Sequence, residues 1–284
     1  RYSEMVDRNL NDYFRSGSTS TRDGMLVEIP PSGFDWRAVQ GVPPVIDPYA
    51  ESATQQFPFG TKLTYGEEVL RYSLAGAVAI EVGALCQAVV PLAGHINEAI
   101  DAPAVGDTGI AFTPNTVTTD DLAANELQDG YIYIYDGTGE GHKYRILSHP
   151  AILGGASGEL TLVDPIRVAP AAASVATVVH NRFRGTLIHP SPPTAIPVGW
   201  TQNAITASYY YWSLTAGPTT MLIDGTVVQG EEIRPSEDDD GAVAALDYDE
   251  ADDADHGRVG RVMDIGADAG GNAATFGFGI AMLE

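Results

Sequence analysis

Lysine is almost absent from this chain of 284 residues: of 15 basic side chains, only Lys62 and Lys143 are lysines. Against them stand 38 acidic residues, giving a formal net charge of −23. Nucleic-acid binding is driven by basic surface that displaces counterions, so this balance argues against direct contact with DNA or RNA. The lone cysteine, Cys86, rules out an intrachain disulfide framework. Its neighbours Leu85, Ala88 and Val89 predict a buried thiol. No apolar run approaches the roughly 18 residues of a membrane span. The longest apolar patch, around Leu74 to Leu85, is broken by Gly and carries Glu81. The opening Arg-Tyr-Ser-Glu leads into no apolar core of a signal peptide. Residue 1 is not Met, which leaves room for a preceding segment.

Catalytic signatures are scarce as well. The sequence holds no G-x-S-x-G elbow, no H-E-x-x-H, no C-x-x-C pair and no G-x-x-x-x-G-K-[ST] loop. Gly137-Thr-Gly-Glu-Gly looks like a phosphate loop only superficially, since it lacks the lysine and falls between two strand candidates. His142 and His149 lie seven residues apart and would face opposite sides of an extended strand, a poor metal pair. An enzyme is therefore not expected.

What is present is β signal. Hydrophobic residues make up 44 %, enough for a real core, while 31 Gly and 18 Pro leave little room for long helices. The fold expectation is mainly β: an irregular N-terminal arm followed by two small sandwich- or barrel-like domains. Residues 1–60 read as the arm, with Ile29-Pro-Pro and Val42-Pro-Pro barred from helix interiors and Glu4 to Arg15 the one short helix candidate. Residues 61–200 read as a β domain with strands at Ala77–Val82, Tyr131–Tyr135, Lys143–Leu147, Glu159–Val163, Ala176–Val179 and Thr186–Ile188. In Tyr131-Ile-Tyr-Ile-Tyr the two residue types point to opposite faces, which predicts a strand covered on both sides. A linker is expected near Ser191-Pro-Pro, before a C-terminal domain, 201–284, of short strands with Asp224-Gly225 and Asp240-Gly241 as turns.

The charge has a positive meaning too. An excess of carboxylates repels itself in dilute buffer, and molar salt relieves the repulsion by shortening the screening length to about 3 Å. Depletion of lysine along the whole chain points to a protein that works in brine. Glu237-Asp-Asp-Asp and the run Asp247 to His256 are densest in acid, yet lack the ligand spacing of a calcium loop. No cofactor is expected, beyond non-specific cation binding by the acidic surface.

Several stretches carry a resemblance. Gln56-Phe-Pro-Phe-Gly-Thr-Lys-Leu-Thr-Tyr-Gly-Glu followed by Arg71-Tyr-Ser-Leu-Ala-Gly resembles the arm-to-domain junction of capsid decoration (cement, or head-stabilising) proteins of tailed viruses. So does the stretch from Tyr131 to Pro150, as do Leu162-Val-Asp-Pro-Ile-Arg-Val and the C-terminal turns Asp224-Gly-Thr-Val-Val-Gln-Gly-Glu and Asp240-Gly-Ala-Val. Together these patches cover about 55 to 284, and their motifs are turn and strand signatures. The resemblance implies β domains, a homotrimer, the major capsid protein as partner and a place on the capsid exterior; the charge adds a halophilic archaeal host. On this reading Phe57, Phe59, Tyr65, Arg71 and Tyr72 are contacts to the capsid or a neighbouring subunit, the aromatic ones anchoring the arm against the core or a neighbour. Other virion roles, such as tail-tube, turret or fibre-associated protein, stand as the alternative.

Overall fold

A computed structural model describes residues 17–20, 25–30, 32, 34, 46–115, 118–246, 256–265 and 275–284. The chain is almost all β. Its strands run β1 (Gly17–Ser20), β2 (Leu26–Ile29), β3 (Lys62–Tyr65), β4 (Glu68–Ala75) and β5 (Leu85–Gln87). Next come β6 (Glu98–Ile100), β7 (Gly109–Thr113), β8 (Tyr131–Asp136), β9 (Lys143–Ser148), β10 (Gly158–Leu162) and β11 (Val175–Val179). The last group is β12 (Arg184–Ile188), β13 (Pro197–Trp200), β14 (Tyr210–Ile223), β15 (Glu232–Pro235), β16 (Val243–Ala245), β17 (Gly260–Asp264) and β18 (Thr275–Met282).

Two compact units emerge, and they do not divide near residue 200. One is residues 90–181 together with 32–35; the other joins residues up to 31, 36–89 and 182–284. The expected split into 61–200 and 201–284 is thus replaced by an insertion. Long-range pairing explains the difference: β12, from the expected first domain, pairs with β4 and β5, and β13 lies between β5 and β14. The Ser191-Pro-Pro stretch, read as a linker, is an internal loop of the discontinuous unit.

The inserted unit is a closed six-stranded barrel in the order β10-β7-β6-β11-β8-β9, antiparallel throughout. Period-two alternation builds it. In β8 the isoleucines Ile132 and Ile134 are buried among Phe112, Tyr144, Ile146 and Leu160, whereas Tyr131 and Tyr135 are exposed. The tyrosine face therefore lies outside a barrel rather than in the middle of a sandwich. Between β8 and β9 the turn residues Gly137, Gly139 and Gly141 all take positive φ, which side chains other than glycine resist.

The discontinuous unit is organised by β14. Its N-terminal half pairs antiparallel with β4, from Tyr210↔Leu74 to Ala216↔Val69, and its C-terminal half with β18, from Ala216↔Met282 to Ile223↔Thr275. Two rings of strands share it: β4-β12-β5-β13-β14 and β14-β16-β15-β17-β18. Tyr211 to Thr215 are buried without a break, since both faces of the strand are covered. Trp212 and Leu214 join a core with Leu63, Leu70 and Trp200, whereas Tyr211 joins a second cluster with Phe59, Cys86 and Val198. A register shift between Leu214 and Ala216 then exchanges the faces, so that Met221 and Ile223 serve the first core and Leu222 the second.

Candidate interaction surface

The arm is less separate than its composition suggests. Leu26↔Thr64, Val27↔Leu63 and Glu28↔Lys62 pair β2 with β3, and Met25 and Val27 are buried in the first core. Further along, Ser52 pairs with Tyr210. Residues 25–30 and 46–60 thus contribute to the discontinuous unit, correcting an arm that runs unbroken to residue 60. The helix candidate Glu4 to Arg15 lies outside the described residues.

Of the five expected contact residues, three point inward. The rings of Phe57, Tyr72 and Trp212 meet with centroids 5.1–5.3 Å apart, and Tyr72 stacks on Tyr210 at 5.9 Å. Phe59 stacks on Tyr210 at 6.1 Å, beneath the Arg184 guanidinium at 5.5 Å. The Tyr72 hydroxyl accepts a hydrogen bond from the Gln56 amide at 2.9 Å, and burial holds its pKa well above the usual value. Phe57, Phe59 and Tyr72 therefore anchor their segment against the chain's own core. Apolar area and ring geometry favour burial over an open face. Arg71 is engaged as well: it donates to Glu284 Oε1 at 2.6 Å and to the Gly60 carbonyl at 3.0 Å. Tyr65, at the end of β3, is 40 % exposed and remains open to a partner.

The backbone offers a second feature. In the twelve-stranded order of the discontinuous unit, every described strand has partners on both sides except β1, which pairs only with β2. The barrel, being closed, has no edge. Gly17–Ser20 is thus the one strand with no described strand along one side, and the sequence Gly-Ser-Thr-Ser holds no charge or proline. The composition of the arm marked it as extended, but the pairing of β2 with β3 depends on residues such as Leu63, opposite Val27, that lie well downstream and that no local pattern encodes.

Acidic residues form an ordered turn at Ser236–Asp240. The Ser236 hydroxyl donates to Asp224 at 2.6 Å and accepts from the amides of Asp238 and Asp239, while Asp240 accepts from the Ser191 amide and hydroxyl. Burial, then the neighbours Asp224, Asp238 and Asp240, push the Asp239 carboxyl above its ordinary pKa. Among the described residues no three potential metal ligands converge, and the acidic run Asp247–Asp255 lies outside them. His149 is held as a structural residue, with Nε2 accepting from the Leu127 amide at 2.8 Å and Nδ1 donating to the Pro150 carbonyl at 2.7 Å. Cys86 is buried, as its neighbours predicted, and burial pushes its thiol up to about 12.

No protein-family model matches the chain, and neither a curated protein nor a solved structure shows significant similarity to it.

Proposed function

We propose that this chain is a non-enzymatic structural protein of a tailed-virus capsid, which binds the outside of the assembled shell as a trimer and bridges major capsid protein subunits. The observation that carries the reading is the open edge of β1. An extended strand from another chain can add there through main-chain hydrogen bonds, a way for a β protein to recruit a partner without a pocket. The mainly β architecture and the resemblance of the segments around Gln56–Gly76, Tyr131–Pro150 and Asp224–Val243 point the same way. Exposed Tyr65, on the strand β2 joins, is a further contact in this scheme. Bridging several shell subunits from one trimer multiplies modest contacts, because each added contact is effectively intramolecular.

The test is a truncation lacking residues 1–22, which removes β1 while keeping Met25 and Val27 in the core. Its thermal unfolding should match that of the full chain, and its co-sedimentation with shells stripped of the protein should be lost. Undiminished co-sedimentation overturns the role of the edge. Light scattering in molar salt should give the mass of three chains; a monomer overturns the trimer.

A further inference from the structure

Strand β18 is built inside out. Its inward positions are Gly277, Gly279 and Ala281, and its outward positions are Phe276, Phe278, Ile280 and Met282. The glycines are required: a Cβ on Gly277 would lie 2.2 Å from Ile223 Cδ1, and one on Gly279 only 2.5 Å from the Arg261 carbonyl oxygen. Bulk that would ordinarily go to the core is instead turned to solvent, with Phe276 at 52 % exposure and Phe278 and Met282 at 38 % each. The adjoining outward residues of β14 extend the same face, with Pro218 beside Ile280 and Thr220 beside Phe278. Neither strand contains a single charged residue, although 19 % of the chain is charged. A contiguous uncharged face of this kind marks a contact surface.

Its border is acidic at one end. There Phe276 lies over Gly83 and beside Leu222, and Leu222 also lines a cleft with Glu81, Asp238, Asp239 and Asp240. On the β17 side the border is mixed, with Arg261 beside Ile280 and Asp264 beside Phe278. We infer that the outward face of β14 and β18 is the seat of a partner protein whose contact patch has an apolar centre with arginine or lysine on the side that meets the Phe276 end. On the reading proposed above, that partner is the major capsid protein, and this inference rests on it. A second copy of the chain is the poorer match, because it would set the Phe276-end carboxylates against a molecule that itself carries a net charge of −23.

Among the described residues, two exposed methionines report on the face directly. Met282 lies on it and Met263, 52 % exposed, lies on the neighbouring β17, whereas Met221 is buried beneath. Hydrogen peroxide converts accessible methionine to its sulfoxide, which peptide mass spectrometry quantifies. In the free full-length protein in molar salt, Met282 and Met263 should oxidise readily and Met221 should not. Bound to stripped shells, Met282 should oxidise at least about tenfold more slowly. Binding with Met282 oxidised at the free rate overturns this inference while leaving the capsid reading intact. Failure to bind shells at all overturns both. Slow oxidation of Met282 in the free protein would mean that another copy already covers the face, and that also overturns it. Phe278→Asp, at an exposed position, should retain the unfolding midpoint and weaken shell binding by about 10- to 100-fold, the range of a central contact residue; full binding by this variant counts against the proposal.

Discussion

Tyr72 touches Phe57, Tyr210 and Trp212 while its hydroxyl holds the Gln56 amide, so one side chain fastens residues from three separate stretches of the chain. Tyr72→Ala should destabilise the protein by about 3–5 kcal/mol, the cost of emptying a large aromatic site, as read from denaturant unfolding. Tyr65→Ala, at an exposed position on the next strand, should change stability by no more than about 0.5 kcal/mol. Equal losses at both positions would refute the assignment of core and surface. Asp239 and Glu232 should respond to pH with opposite signs. With its carboxyl raised above the ordinary value by burial and acidic neighbours, Asp239 opposes folding while charged, and the opposition fades as pH falls into the carboxylate range. Asp239→Asn should therefore stabilise the protein slightly at neutral pH, by about 0.5 kcal/mol or less after solvent screening, and not at pH 3, as read from denaturant unfolding. The Glu232 carboxyl is lowered by hydrogen bonds from Arg258 and Arg261. Its support is present above the usual carboxylate range and is lost as pH falls through its depressed value. Glu232→Gln should flatten the acid limb of the stability profile and leave that limb's neutral end lower.

At the scale of elements, the arm yields the sharper prediction. A truncation of residues 1–50 removes Met25 and Val27 from the core and the Val27↔Leu63 pairing, and should lower the unfolding midpoint substantially. A truncation of 1–22 should not. Comparing the two by calorimetry separates the part of the arm that is built into the core from the part that is not. Much of this scale was legible in the sequence. Strands such as β8, β9, β11 and β18 follow from runs of Val, Ile, Tyr and Phe, and the Gly-rich hairpin after Asp136 follows from its turn residues. Others were not. Ala77–Val82 has the composition of a strand but, among the described residues, makes only the bridge Ile80↔Ile205. Short β5, β6 and β13, of three or four residues, owe their existence to neighbours on both sides rather than to a pattern of their own. The inward turn of Phe57, Phe59 and Tyr72 was equally hidden, because aromatic residues announce burial area but not whether it is found inside the chain or on a partner. The outward turn of Phe276 and Phe278 is the same ambiguity with the opposite outcome, and here the alternating glycines were a signal that could have been read.

Across the whole molecule the dominant quantity is the net charge of −23. Lowering salt from molar to about 10 mM lengthens the screening distance from about 3 to 30 Å, so carboxylates across the surface begin to act on one another. The melting temperature should fall steeply over that range, and sodium chloride and potassium chloride should restore it alike if screening rather than a specific cation site is responsible. A strong preference for one cation would contradict this account.

The insertion of residues 90–181 between β5 and β12 also dictates an order of events during synthesis. The barrel is nearly continuous in sequence and can close as soon as residue 181 has left the ribosome. By contrast, β4 must wait for β14, which begins at Tyr210, and the ring is not complete until β18 is made. Until then Leu70, Tyr72 and their neighbours have no permanent cover, which makes the nascent chain a client for chaperones and the second unit the slower folder. Chains truncated near residue 200 and released from the ribosome should thus show a protease-resistant fragment of about 90–181 while the preceding 89 residues are still digested.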